Sequence, residues 1–238
     1  MSYYNGPTIV TNGLVLYLDA ANNKSYPGSG NTVYDLSGNG NTGTLNGPTW
    51  TNSNGGCWSF DNTDDYIQIN NLNLDTLGST RNFTIIFAAK KTAFGTGGNN
   101  TGDSRLLAAS ENGYTTGWRI IETTAGTPGA AFTGQQSYTF SSPSISTSVT
   151  VTDAISNRIA FCAFSQNATA AYGFLNGVSN AASFGGYTAG TNSSKIGQGG
   201  NGVGWFGGLF SFMQIYNRAL SPTEILQNYN ATKTRFGL

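Results

Sequence analysis

Three glutamates, at positions 111, 122 and 224, are the residues best suited to acid–base chemistry in this chain, and histidine is absent. Cleaving a glycosidic bond takes two carboxyl groups about 5 Å apart, or roughly 6.5–9.5 Å apart when a water must fit between them. Glu122, near Arg119 at the end of a strand-like run, is the candidate for one such group, and spacing supplies no partner for it. The reading adopted for Glu122 is therefore an exposed surface carboxylate. Glu224 has a structural role instead. In Ser221-Pro222-Thr223-Glu224 a capping hydroxyl stands three residues before a carboxylate that can reach back to it. Without histidine the chain lacks the commonest general base and the commonest transition-metal ligand. Hard oxygen donors of the kind calcium accepts are plentiful: Asp19, Asp35, Asn39, Asn41, Asp61, Asp64 and Asp65. The same residue types build turns, and that is the reading preferred for Asp35-Leu-Ser-Gly-Asn-Gly40.

Sugar recognition needs no proton transfer. It asks for an exposed aromatic platform beside amides or carboxylates. Tyr114, Trp118, Tyr138, Tyr187 and Trp205 sit near loops or strand ends and are the carbohydrate-binding candidates. For each of them, filling a sandwich core or a protein interface is the competing role.

The elements that must position these residues are strands. Gly13–Asp19 opens the set, and a turn-rich excursion follows from Ala20 to Thr49. Cys57–Phe60 and Tyr66–Ile69 read as a hairpin turning through Asp61–Asp65. Phe83–Ala89 is almost continuously apolar and reads as a central strand. Arg105–Ser110, Gly117–Glu122, Arg158–Phe164, Ala171–Leu175 and Lys195–Gly197 follow, with Asn176-Gly177 as a tight-turn signal. Ser141–Ser148 is a Ser-rich connector. Leu209–Tyr216 is a long buried strand, and Ser221 starts a terminal helix, with Leu220 and Ile225 placed to staple across the cap. About a dozen short strands and one helix describe an all-β, jelly-roll-type sandwich. No composition break divides the chain, so residues 1–238 read as one domain.

Bulk composition removes several classes of partner. The 11 basic and 11 acidic residues balance, so there is no basic field for nucleic acid or for an anionic membrane. No apolar run approaches the ~20 residues needed to cross a bilayer. Hydrophobic residues make up 38% and aromatics 13%, enough for a core. Met1-Ser-Tyr-Tyr-Asn-Gly-Pro7 lacks the basic and apolar regions of a secretory leader, so synthesis and folding in the cytoplasm are expected. Cys57 and Cys162 belong to no short metal or redox spacing. They read as two small buried thiols, with a disulfide as the alternative in oxidising surroundings.

Five segments carry a family resemblance, in order along nearly the whole chain. They are Gly13–Ala20, Asp35–Leu45, Trp58–Ile67, Tyr172–Gly177 and Ile215–Ile225. Together they resemble the laminin G-like, concanavalin A-like lectin/glucanase superfamily. The resemblance implies a jelly-roll β-sandwich of two antiparallel sheets with a short C-terminal helix. A narrower resemblance, at Gly13–Asn22 and Asn228–Gly237, is to stand-alone versions of this domain in tailed-phage virions, especially those of cyanobacterial phages. It implies a non-catalytic structural or accessory protein that decorates or cements the particle. Its partners would be other virion proteins in a symmetric assembly, together with surface glycans, and its location the virion. A free-standing carbohydrate-binding lectin is the alternative, and a glycoside hydrolase ranks below it. Laminarinase-type members carry Glu-x-Asp-x-Glu on one strand, and this chain has no such triplet. Many members also hold calcium with a loop carbonyl and an Asp on the last strand. Aligned on Gly208 and Ile215-Tyr216, that position is Ser211, so no cofactor is expected, with calcium as the open alternative.

Overall fold

Burial along the strands explains their placement. Phe83–Ala93 is buried at each of its first seven positions, the mark of a strand covered on both faces, whereas Leu14–Asp19 begins with strict alternation. The computed structural model describes residues 8–74, 77, 82–93, 104–112, 116–122, 136–141, 149–153, 158–167, 171–182, 194–199 and 204–238. The first strands are β1 (Leu14–Asp19), β2 (Thr32–Val33), β3 (Gly43–Asn46), β4 (Thr49–Thr51), β5 (Cys57–Asp61) and β6 (Tyr66–Ile69). Next come β7 (Phe83–Ala93), β8 (Ser104–Asn112), β9 (Thr116–Glu122), β10 (Gln136–Ser141) and β11 (Val149–Asp153). The last are β12 (Ala160–Gln166), β13 (Ala171–Leu175), β14 (Val178–Ala182), β15 (Lys195–Ile196) and β16 (Gly207–Tyr216). Helix α1 (Pro222–Thr232) and a 3-10 turn, Lys233–Phe236, close the chain.

Two eight-stranded sheets result. The first runs β14-β13-β12-β7-β16-β5-β4, with β1 also on β16; the second runs β11-β10-β9-β8-β15-β6-β3-β2. Strand β16 is long enough to hold two partners end to end along one edge. Its Gly207–Phe210 half pairs with β5, and Phe212–Tyr216 pairs with β1. Ser211 sits at the junction, with β7 on the opposite edge. The resemblance-based expectation of an all-β sandwich of two antiparallel sheets and a short C-terminal helix is met.

The first sheet is buried on both sides, which is why its central strands read as continuous apolar runs. Trp58, Phe60, Phe87, Phe164, Phe210 and Met213 face the second sheet, meeting Ile67, Leu107, Ile120 and Ile196. Cys57, Ile86, Phe161, Ala163 and Phe212 face the other way, under Ile225 and Phe236 of the C-terminal segment. Phe236 stacks on Phe212 with ring centroids 6.0 Å apart, and Tyr229 meets Phe161 edge-on at 5.4 Å. Each fully buried Phe contributes about 2–3 kcal/mol. Cys57 and Cys162 are free and buried in the two different clusters, on opposite faces of one sheet, so the thiol reading holds.

Three expectations change. β5 and β6 do not form a hairpin: β5 belongs to the first sheet and β6 to the second, so Asp61–Asp65 is an arch between the layers. Both strands turn apolar side chains to one shared core, and burial outweighs local pairing. The Ala20–Thr49 excursion contains β2, β3 and the first residue of β4. Its Asp35–Asn41 part seals the free edge of β1: Asp35 Oδ1 accepts from Tyr17 N at 2.9 Å, and Ser37 Oγ and Asn41 Nδ2 donate to Val15 O. Asp35 also takes Ser37 N and Asn41 N at 2.9 and 3.0 Å, as the turn reading expects. Tyr138 is the third change. It is 0% exposed, edge-on to Phe87 at 5.3 Å, and is a core residue with no face to offer a sugar.

Candidate functional site

The helix start builds one wall of a cleft. Ser221 Oγ accepts from Glu224 N at 3.3 Å, Glu224 Oε2 accepts from Ser221 N at 2.8 Å, and Pro222 takes the first helical position. This is the capping box the sequence anticipates. Arg218 grips the same carboxylate at 2.6 and 3.1 Å. The Arg218 guanidinium, followed by the Ser221 hydrogen bonds, holds the Glu224 carboxyl down to about 2 from an ordinary 4.5. It is therefore an ionised acceptor at physiological pH and a poor proton donor.

The other wall comes from the β12–β13 pair, where Ser165 lies opposite Tyr172. Ser165 Oγ donates to Leu220 O at 3.1 Å and lies 3.0 Å from Thr84 Oγ1, which ties the helix entry to the sheet. Between the walls is a cleft of about 390 Å³ that includes Asn167, half-buried Tyr172, Ser221, Pro222 and Glu224. An aromatic ring, an amide and a fixed anion line it, with the Ser221 hydroxyl donating to Glu224 Oε2 at 3.0 Å. That set suits a ring-shaped polyol: apolar faces pack on the aromatic, and hydroxyls donate to the anion and amide.

Of the aromatics expected to bind sugar, only Tyr138 and Trp205 have described side chains. Tyr114 and Tyr187 lie outside the described residues. Trp118 lies in β9 opposite Ala109, and its side chain is outside the described residues. Trp205 is half-buried just before β16. The side chains of Glu111 and Glu122 are also outside the described residues. Tyr172 and Asn167 had no aromatic run or acidic spacing to mark them, because the cleft exists only once α1 docks on β12. Trp50 was missed as well. It is 38% exposed on edge strand β4, its Nε1 anchored to Ala20 O at 2.8 Å.

Among the described residues, two groups of oxygen donors bear on metals. Asp61, Asp64 and Asp65 place ligand oxygens within 4.8 Å of one another. Asp61 Oδ1 accepts from Thr63 N at 2.8 Å, and Asp65 Oδ2 accepts from Asp61 N at 2.8 Å, so these carboxylates shape the arch. Burial, and then the neighbouring Asp61 and Asp64 charges, push the Asp65 carboxyl up against a backbone hydrogen bond that lowers it. The second group surrounds Ser211. Asp19 Oδ1, Gly56 O and Ser211 Oγ converge, and the Arg235 guanidinium lies among them, donating at 2.6, 2.7 and 2.5 Å. Arg235 Nε adds Asn54 O at 3.2 Å. These residues do not fit the calcium that the family resemblance implies here: a hydroxyl replaces a carboxylate, and a cation from the chain already fills the space.

Solved structures resemble the fold at low identity. Domain 4 of AbnA, a GH43 extracellular arabinanase from Geobacillus stearothermophilus solved with arabinotriose, matches at 16% identity and TM-score 0.58, over 91% of this chain and 98% of that chain. The botulinum neurotoxin type G receptor binding domain matches at 14% identity and TM-score 0.60, over 92% of this chain and 51% of that one. Trypanosoma rangeli sialidase in complex with sialic acid matches at 12% and 0.63, over 94% of this chain and 34% of the sialidase. This chain thus spans about half of the toxin domain and a third of the sialidase. At such identities the likeness is one of fold. No curated protein matches the sequence. Residues 61–226, more than half of the chain, match the Laminin_G_3 family, so this chain belongs to the concanavalin A-like lectin/glucanases superfamily.

Proposed function

We propose that this domain is a non-catalytic adhesion module that holds glycans in the cleft between β12 and α1 and is carried on the surface of a tailed-phage particle. The observation that carries the glycan reading is the cleft's composition: Tyr172 and Asn167 line it together with a Glu224 carboxylate that stays ionised. An acid catalyst would need that carboxyl held near neutral pH, and its pairing with Arg218 does the opposite. Proteins of similar fold solved with arabinotriose and with sialic acid support sugar as the ligand class. Placement on a phage particle, beside other virion proteins, rests on the segments Gly13–Asn22 and Asn228–Gly237.

A glycan array probed with the whole chain tests the first part. Binding is expected for a subset of sugars, with at least a tenfold loss in Tyr172→Ala and Asn167→Ala and no release of reducing ends. Failure to bind any glycan, or undiminished binding by both variants, removes the cleft reading. Antibody labelling of intact particles tests the second part independently, and absence of label removes the virion placement.

A further inference from the structure

Arg235, in the 3-10 turn after α1, spreads its guanidinium over several oxygens. Its Nη1, Nη2 and Nε donate to Asp19 Oδ1, Gly56 O, Ser211 Oγ and Asn54 O, four oxygens brought from three distant parts of the sequence. β1 ends at Asp19, β5 begins just after Gly56, and Ser211 is the β16 residue between their pairings. The cage therefore forms where two strands meet end to end against a third. Across that junction Ser211 Oγ also donates to Gly56 O at 3.3 Å.

Three of the four positions, Asp19, Gly56 and Ser211, are held independently of the arginine. Asp19 Oδ1 also accepts from Ala21 N at 2.9 Å, and Oδ2 accepts from Tyr17 Oη at 2.9 Å. Ala20 N donates to Ser211 O at 2.9 Å. Gly56 adopts φ 136°, and a Cβ there would meet Ala20 O and Ala21 Cα at 2.7 Å, so only glycine brings this carbonyl so close. One carboxylate, two carbonyls and one hydroxyl are all hard oxygen donors. Their net charge of one is matched by a single guanidinium, whose planar fork spreads its hydrogen bonds over separate acceptors.

We infer that Arg235 is a built-in replacement for a metal ion. The chain's own C-terminal cation fills an oxygen cage at the β1–β5–β16 junction, and the cage admits a divalent cation once that guanidinium is removed. Two features make the replacement durable. Phe236 stacks on Phe212 beside the cage, and the Arg235 guanidinium lies 5.2 Å from the Phe236 ring. Dependence on the concentration of a dissociable metal is thereby avoided.

Thermal unfolding of the whole chain in chelator and in calcium tests this. The wild type is expected to melt at the same temperature in both buffers. Arg235→Gln in chelator is expected to melt roughly 10 °C lower, as befits a broken, largely buried pair. With one carboxylate among four donors, the vacated cage belongs at the weak end of calcium sites, about 10⁻⁴–10⁻³ M. Calcium at ten times that value should restore roughly 4 °C to Arg235→Gln. Ser211→Asp combined with Arg235→Gln should bind calcium more tightly than Arg235→Gln alone. If Arg235→Gln does not fold in chelator, refolding in calcium must recover it. A wild type that responds to calcium or chelator overturns the inference. So does a variant as stable as the wild type, or one that calcium cannot restore.

Discussion

Two arginine–carboxylate pairs of the same 2.6 Å length tie down the end of this molecule, and they differ in almost everything else. Arg218 and Glu224 are six residues apart, with side chains 25% and 29% exposed. Arg235 and Asp19 are 216 residues apart, with side chains 18% and 9% exposed. The first pair orders a helix start and a cleft wall. The second joins the two ends of the chain across a sheet junction. Equal distance does not mean equal worth, because solvent screens the exposed pair and desolvation raises the stakes at the buried one.

Several measurements can break that contrast. Asp19→Ala should cost about 3 kcal/mol in urea unfolding, because it leaves the Arg235 cation among oxygens with no counter-charge. A loss under about 1 kcal/mol would show that the junction is held without it. Double-mutant cycles sharpen the comparison: coupling of about 2 kcal/mol is expected between Asp19 and Arg235, and under about 1 kcal/mol between Arg218 and Glu224. Ser221→Ala should cost about 1 kcal/mol through the cap alone, with Asp19–Arg235 coupling unchanged.

The smallest effect is acidic. Glu224 is held at about 2 in the folded protein against 4.5 ordinarily, so its contribution is complete above about pH 4.5 and fades as pH falls toward 2. Exposure limits this contribution to about 1 kcal/mol or less. Glu224→Gln should flatten that part of the pH–stability curve, and about 1 M salt should weaken the same coupling while sparing Asp19–Arg235. An unchanged acid limb in Glu224→Gln would assign the acid sensitivity to other carboxylates.

Legibility in the sequence follows the range of each interaction. The Ser221–Glu224 capping box, the Asn176-Gly177 turn with both φ positive, and the Asp35 turn were readable because each closes within a few residues. Phe83–Ala89 was readable as a central strand because burial on both faces removes alternation. Pairing was not readable: the Asp61–Asp65 turn looks like a hairpin loop until the two strands are assigned to different sheets. Tyr138 could have been recognised as core from the alternation Ser137-Tyr138-Thr139-Phe140, a pattern of one apolar strand face. The same alternation at Tyr172-Gly173-Phe174 marks a strand face but not a cleft, and Asn167 had no such signal.

What the sequence determined by itself was the local grammar: an all-β chain, a capped terminal helix, turns at their Asx and glycine positions, and a serine where the family resemblance led to an aspartate. Those features depend on neighbours a few residues away, so spacing encodes them directly. Only the tertiary structure decided that β1 and β5 meet on β16, that Asp19 faces Arg235, and that α1 completes a cleft over β12. These depend on sheet register and on which faces must leave water together, and many residue pairs far apart in sequence could satisfy the same pattern until the core selects one.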